Sequence, residues 1–125
     1  MDYLCVFIGG GAGSLLRFIS IQFVNQFFDS KYSTGTLFVN CFGAFVVGFL
    51  VNKLVPFDVK WRLFFITGFL GGYTTFSTYA LETVRYFTDG NLKQGIINIL
   101  LNNVLSLLFV LLGMGLSSDF IKSPR

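Results

Sequence analysis

Four apolar stretches, at residues 3–27, 35–55, 62–86 and 95–117, take up nearly all of the 125-residue chain. Each has the length of about 20 residues that a helix needs to cross roughly 30 Å of hydrocarbon. The runs between them carry turn and charge signals: "DSKYST" (29–34), "NKLVPFDVK" (52–60) with Pro56, and "TDGNLK" (88–93). With 54% hydrophobic and 12% charged residues and a mean hydropathy of +0.72, the composition is that of a membrane protein. The pattern predicts an all-α fold, a single four-helix transmembrane domain over residues 1–125 with both ends on one side. No soluble domain is expected. Nor is the first stretch expected to be a cleaved signal peptide, because Asp2 precedes it, Arg17 interrupts it and no small-residue site closes a short apolar core.

Orientation follows the Lys and Arg residues near the span ends. Lys53, Lys60, Arg62, Lys122 and Arg125 fall on the side of the termini, against Lys31, Arg85 and Lys93 on the other. So small a bias towards termini inside also permits insertion both ways. The net charge of +3 resides mostly in these flanks, where lipid headgroups rather than nucleic acid are the expected partner. Cys5 and Cys41 both fall in spans, which predicts buried thiols instead of a disulfide. With no histidine and no acidic pair, the chain offers no transition-metal or hydrolase constellation, and an enzyme is not expected.

Four short helices enclose little interior, so oligomerisation is expected. Gly9 and Gly13 form a G-x-x-x-G pair, and Ala44 and Gly48 a pair of small residues at the same spacing. Such pairs let backbones approach, either within one bundle or across a dimer face. The two halves show no convincing internal repeat, so any inverted symmetry requires a second copy.

Polar groups at membrane depth are costly unless they face protein, water or a ligand. Asn40 lies near the start of the second span, and Asn98, Asn102 and Ser106 recur at i, i+4, i+8 along the fourth. Singly, each amide can serve as glue between helices; together they can line a narrow route of neutral donors. The third span, "GFLGGYTTFSTYALE" at 68–82, is interrupted by glycines and hydroxyls. Non-helical backbone in a membrane is tolerated where it is buried in protein or lines a cavity. Glycines allow unusual dihedrals there, Thr74, Thr75, Ser77 and Thr78 can satisfy the freed groups, and exposed carbonyls can ligate a cation. A kink that serves packing alone is the other reading. Beyond the interruption, Phe76 and Tyr79 share a helix face, and ring edges are weakly attractive to anions. Ordinary packing is the commoner use in a chain with 17 phenylalanines. Thr78 and Glu82 follow at i, i+4, which puts the carboxylate near the helix end as an interfacial charge. Arg17, deep in the first span, either snorkels to the interface, holds a helix end, or attracts anions in a vestibule.

Four blocks in order, "GGGAGSLLRF" (9–18), "GTLFVNCFGAFVVG" (35–48), "GFLGGYTTFSTYALE" (68–82) and "NILLNNVLSL" (98–107), carry a resemblance to the Fluc fluoride channels of bacteria. That resemblance implies an antiparallel, dual-topology homodimer in the bacterial inner membrane, its third helix broken at mid-membrane. It further implies two pores and a structural sodium ion at the interface, with fluoride leaving the cell passively. By motif position, the backbone carbonyls of Gly71 and Thr74 would hold sodium, and Phe76 and Tyr79 would occupy the two Phe-box positions. Asn40 would be the pore amide, Ser77, Thr78 and Ser106 the polar track, with Asn102 joining the fluoride-contacting set. Arg17 would match the first-helix arginine, and Glu82 the carboxylate at the end of the third helix. Tyr79 departs from the usual phenylalanine, keeping the ring edge and adding a hydroxyl. Neutral donors suit such a pore, since fluoride must shed water yet leave again.

A small multidrug-type proton-coupled exporter is the rival reading, also with four short helices and dual topology. It needs an embedded carboxylate in the first helix, where this chain has only Asp2 at the very start. A non-transporting assembly subunit is a third reading, and the interrupted third span with its polar stripe speaks against it.

Overall fold

The computed structural model describes residues 1–117, Ser30 through its backbone only. Lys122 and Arg125, and with them part of the charge balance across the membrane, lie outside the described residues. Within those residues the chain is helical and contains no strand. Helix α1 (Asp2–Phe27) is followed by a 3-10 turn at Ser30–Tyr32 and by α2 (Thr34–Lys53). The third stretch is composite: α3 (Val59–Arg62), a π-helical segment (Leu63–Leu70), α4 (Gly71–Tyr73) and, after an extended interruption, α5 (Phe76–Thr88). The fourth combines α6 (Leu92–Leu100), a second π-helical segment (Leu101–Leu105) and α7 (Ser106–Leu116). Among the described residues, three helices, Asp2–Phe27, Thr34–Lys53 and Leu92–Leu116, are long and apolar enough to cross a membrane.

Small residues decide how these helices pair. A Cβ on Gly9 or Gly13 would run into the backbone carbonyls of Phe64 and Phe69, so α1 lies directly against the π-helical segment 63–70. Gly48 and Gly113 do the same for α2 and α7, meeting the carbonyls of Val110 and Phe45. These small-residue pairs are therefore consumed by contacts within one chain. Little apolar surface is left over to form a core: among the described residues the buried hydrophobic ones are Val39, Cys41, Ala44, Leu70, Tyr73, Tyr79 and Tyr86. Most large side chains of α1 and α7, such as Phe7, Leu15, Phe18, Leu107 and Leu111, point outward. This inside-out distribution suits a chain solvated by lipid or by further protein.

The element bounds differ from the sequence expectation chiefly around the third stretch, which starts at Val59 and continues to Thr88. Glu82 consequently sits in the body of α5, not at its end. The glycines of "LGGY" also behave differently. Gly71 has ordinary helical dihedrals (φ −61°, ψ −36°), and the only glycine with positive φ among the described residues is Gly90. Gly72 is needed for close approach, because a Cβ there would strike the Gly10 carbonyl on α1. The chain leaves the helix later, at Thr74 (φ −82°, ψ 156°) and Thr75 (φ −145°, ψ 116°).

Candidate functional site

Two hydrogen-bond substitutions produce the interruption. In an uninterrupted α-helix the Thr75 amide would return to the Gly71 carbonyl and the Thr78 amide to the Thr74 carbonyl. Instead the Thr75 N–H donates to Asn40 Oδ1 (2.8 Å), and the Thr78 N–H donates to Thr75 Oγ1 (3.2 Å). The second bond is an N-cap: Thr75 starts α5. Both carbonyls, Gly71 and Thr74, are thereby released from the helical ladder. Asn40 closes the exchange from the other side, since its Nδ2 donates to the Thr75 carbonyl (3.1 Å). The α2 side chain thus pairs with both backbone groups of Thr75, as a neighbouring strand would. Thr74 returns its own hydroxyl to the Leu70 carbonyl (3.0 Å), which finishes the end of α4.

Arg17 takes up the helix-end alternative, with its Nη1 donating to the Thr74 carbonyl (3.3 Å). That oxygen has two lone pairs, and one stays available.

A polar chain extends from Asn40 along the fourth helix. Asn40 Nδ2 also donates to Asn102 Oδ1 (3.0 Å), Asn102 Nδ2 donates to Asn98 Oδ1 (3.0 Å), and Asn98 Nδ2 donates to Thr83 Oγ1 (3.0 Å). Thr83 completes the sequence by donating to the Tyr79 carbonyl (2.8 Å). Asn98 and Asn102 are buried, and the side-chain nitrogens of both, like that of Asn40, donate to protein. Asn102 and Asn103 in addition donate to carbonyls one turn back, Asn98 (3.1 Å) and Ile99 (2.8 Å). Side-chain donors that compete for the ladder in this way account for its widening to π-helix at 101–105.

These residues meet around one cavity of about 510 Å³. Its walls include Gly71 and Thr74 at the end of α4, Phe76 and Tyr79 on α5, Asn40 on α2, and Asn102 and Ser106 on the fourth helix. Phe76 and Tyr79 are in edge contact, with ring centroids 5.3 Å apart at 64°. Tyr79 is buried, whereas Phe76 is 75% exposed. Ser106 lies against the Cys41 thiol.

Ser77, Thr78, Arg17 and Glu82 are not in the cavity wall. Thr75 Oγ1 donates to Thr78 Oγ1 (3.1 Å), so the Ser77–Thr75 contact (3.3 Å) takes its hydrogen from Ser77. Thr78 keeps its own hydroxyl hydrogen. Glu82 receives a hydrogen bond from Thr36 (2.8 Å) through one carboxylate oxygen, while the other is buried without a protein partner. Two polar residues of the cavity wall, Thr75 and Asn103, are not among the site residues that the sequence singles out. In the sequence Thr75 is one of several hydroxyls in the interruption; Asn103, whose Nδ2 lies 3.0 Å from the Tyr79 hydroxyl, adjoins the Asn98–Asn102–Ser106 stripe without sharing its spacing.

Residues 4–114 match the family model described as CrcB-like protein, Camphor Resistance (CrcB). The chain belongs to the CrcB family. Curated relatives named "Fluoride-specific ion channel FluC" cover it almost end to end. The one from Hydrogenobaculum sp. (strain Y04AAS1) is 40% identical over 116 residues, 90% of this chain and 94% of its own. That from Clostridium perfringens (strain 13 / Type A) is 40% identical over 119 residues, 91% of each chain. That from Koribacter versatilis (strain Ellin345) is 42% identical over 113 residues, 88% of this chain and 90% of its own. Membership in CrcB makes this a membrane protein whose named relatives are channels, not enzymes.

Proposed function

We propose that this CrcB-family chain is a fluoride-specific ion channel that lets fluoride cross the bacterial inner membrane passively. The observation that carries the reading is the interruption at Thr74–Thr75, with two aromatic residues and a cavity bordered by Asn40, Asn102 and Ser106 gathered beside it. The names of the relatives supply the ion. Fluoride moves by exchanging water for hydroxyl hydrogens and ring edges, contacts that are individually weak enough to release it. Phe76 and Tyr79 provide the edges, and Thr78 and Ser106 belong to the hydroxyl track with Ser77. Asn40 and Asn102 act in the reading through the wall they brace, and an ion that reaches them must displace one of their protein partners.

The functional unit is an antiparallel dual-topology homodimer with two pores, its four-helix chains broken at mid-membrane depth. Its support is the largely exposed Phe76 in the cavity wall, which a second copy would cover. The freed carbonyls of Gly71 and Thr74 are neutral oxygen donors that fit a hard cation, and those of two copies would hold a sodium ion between them. Bound there, sodium supplies positive potential near the anion route without occupying it. Arg17 positions the Thr74 carbonyl, and Glu82 tethers α5 to α2 through Thr36.

Purified protein in liposomes loaded with fluoride is expected to release it well above the rate of empty liposomes, with chloride retained. C-terminal tags are expected to be reachable from both membrane faces. Release equal to that of empty liposomes overturns the channel reading, and exclusive labelling from one face overturns dual topology.

A further inference from the structure

Asn103 contacts the one aromatic position at which this chain departs from the Phe-box pattern. Its Nδ2 lies 3.0 Å from the Tyr79 hydroxyl oxygen and 2.8 Å from the Ile99 carbonyl oxygen. A carbonyl only accepts, so the amide atom facing Ile99 is nitrogen, and the orientation of the amide is fixed. That nitrogen only donates. Tyr79 is therefore the acceptor in its bond with Asn103, and the phenolic hydrogen remains to be given elsewhere. No protein acceptor takes it among the described residues. Both side chains line the cavity of about 510 Å³ that Phe76 and Ser106 also border.

We propose that Asn103 is a positioning residue that holds the Tyr79 hydroxyl as a hydrogen-bond donor to the anion in this cavity. The inference rests on the channel reading above and adds a contact that phenylalanine at this position cannot make. Accepting a bond from the amide polarises the phenol and strengthens its O–H as a donor. A hydrogen bond to an ionised acceptor is shorter and about twice as strong as a neutral one, and fluoride concentrates its charge in the smallest halide radius. Asn103 has no hydrogen of its own left for the ion, since Ile99 takes the second. Its influence on the anion passes through Tyr79.

The test is a double-mutant cycle on fluoride efflux from liposomes, using wild type, Tyr79→Phe, Asn103→Leu and the double variant, each eluting like wild type in size exclusion. Tyr79→Phe and Asn103→Leu are each expected to slow efflux about fivefold, and the double variant is expected to be no slower than Tyr79→Phe alone. Should Asn103→Leu fail to elute normally, Asn103→Ala takes its place in the cycle. Wild-type efflux in Tyr79→Phe overturns the proposal, as does an Asn103 effect equally large with and without the Tyr79 hydroxyl, which would assign Asn103 to its bond with Ile99. A wild-type protein that releases no fluoride overturns the channel reading and this inference together. Normal wild-type release with either of the other outcomes overturns the inference alone.

Discussion

Phe76→Ile is expected to slow fluoride efflux by more than tenfold while the protein elutes unchanged. The side chain is 75% exposed and leans on Tyr79 at 5.3 Å, so little packing within the chain depends on its ring. Isoleucine retains apolar bulk but has no positive ring edge. If the edge lowers the barrier for a desolvated anion, its loss appears in the rate, and a tenfold slowing corresponds to about 1.4 kcal/mol. The measurement is initial efflux from liposomes with chloride as the control anion. Wild-type rates in a normally eluting Phe76→Ile variant would reduce the aromatic pair to packing and leave the route to hydroxyls.

Asn40→Leu is expected to have the largest effect on stability. Asn40 pairs with both the N–H and the C=O of Thr75 and also donates to Asn102. Leucine fills a similar volume yet strands all three partners, and each unsatisfied buried polar group costs about 1–3 kcal/mol. A total of several kcal/mol is a large share of the roughly 5–15 kcal/mol that holds an ordinary domain folded. The variant should elute as aggregate, or melt far below wild type in detergent. Asn40→Asp offers a graded comparison, because it keeps the acceptor for the Thr75 amide and loses both donors. An Asn40→Leu protein as heat-stable as wild type would mean that the interruption survives without its α2 partner.

Much of this arrangement is legible in the sequence because polar residues in apolar helices have few uses. The spacing of Asn98, Asn102 and Ser106 announces one helix face, and the "TTFST" run announces an interruption. Other parts are hidden for identifiable physical reasons. The paired glycines suggest a conformational hinge, yet Gly72 is small so that α1 can approach, and the departure from helix depends on Asn40, 35 residues away from Thr75. Nothing local reveals which distant amide will claim a backbone N–H. Asn103 falls outside the i, i+4 stripe, and its contact with Tyr79 occurs where the fourth helix widens to π geometry. Hydropathy does not register that widening. Glu82 is read as a helix-end charge because it lies about one turn before the expected span end at Tyr86, whereas it sits in the middle of α5, Phe76–Thr88.

The bonds that begin at the Thr75 amide pass through Asn40, Asn102, Asn98 and Thr83 and come back to the Tyr79 carbonyl, one turn further along the same helix. Every hydrogen in this circuit runs in the same sense. Reversing a single amide sets donor against donor and acceptor against acceptor at its two neighbours, so there is one arrangement and no partial one. Such a closed circuit has no loose end from which to unravel. In terms of motion, these bonds tie the discontinuity to α2 and to the fourth helix, and it is expected to act as a fixed joint rather than a hinge.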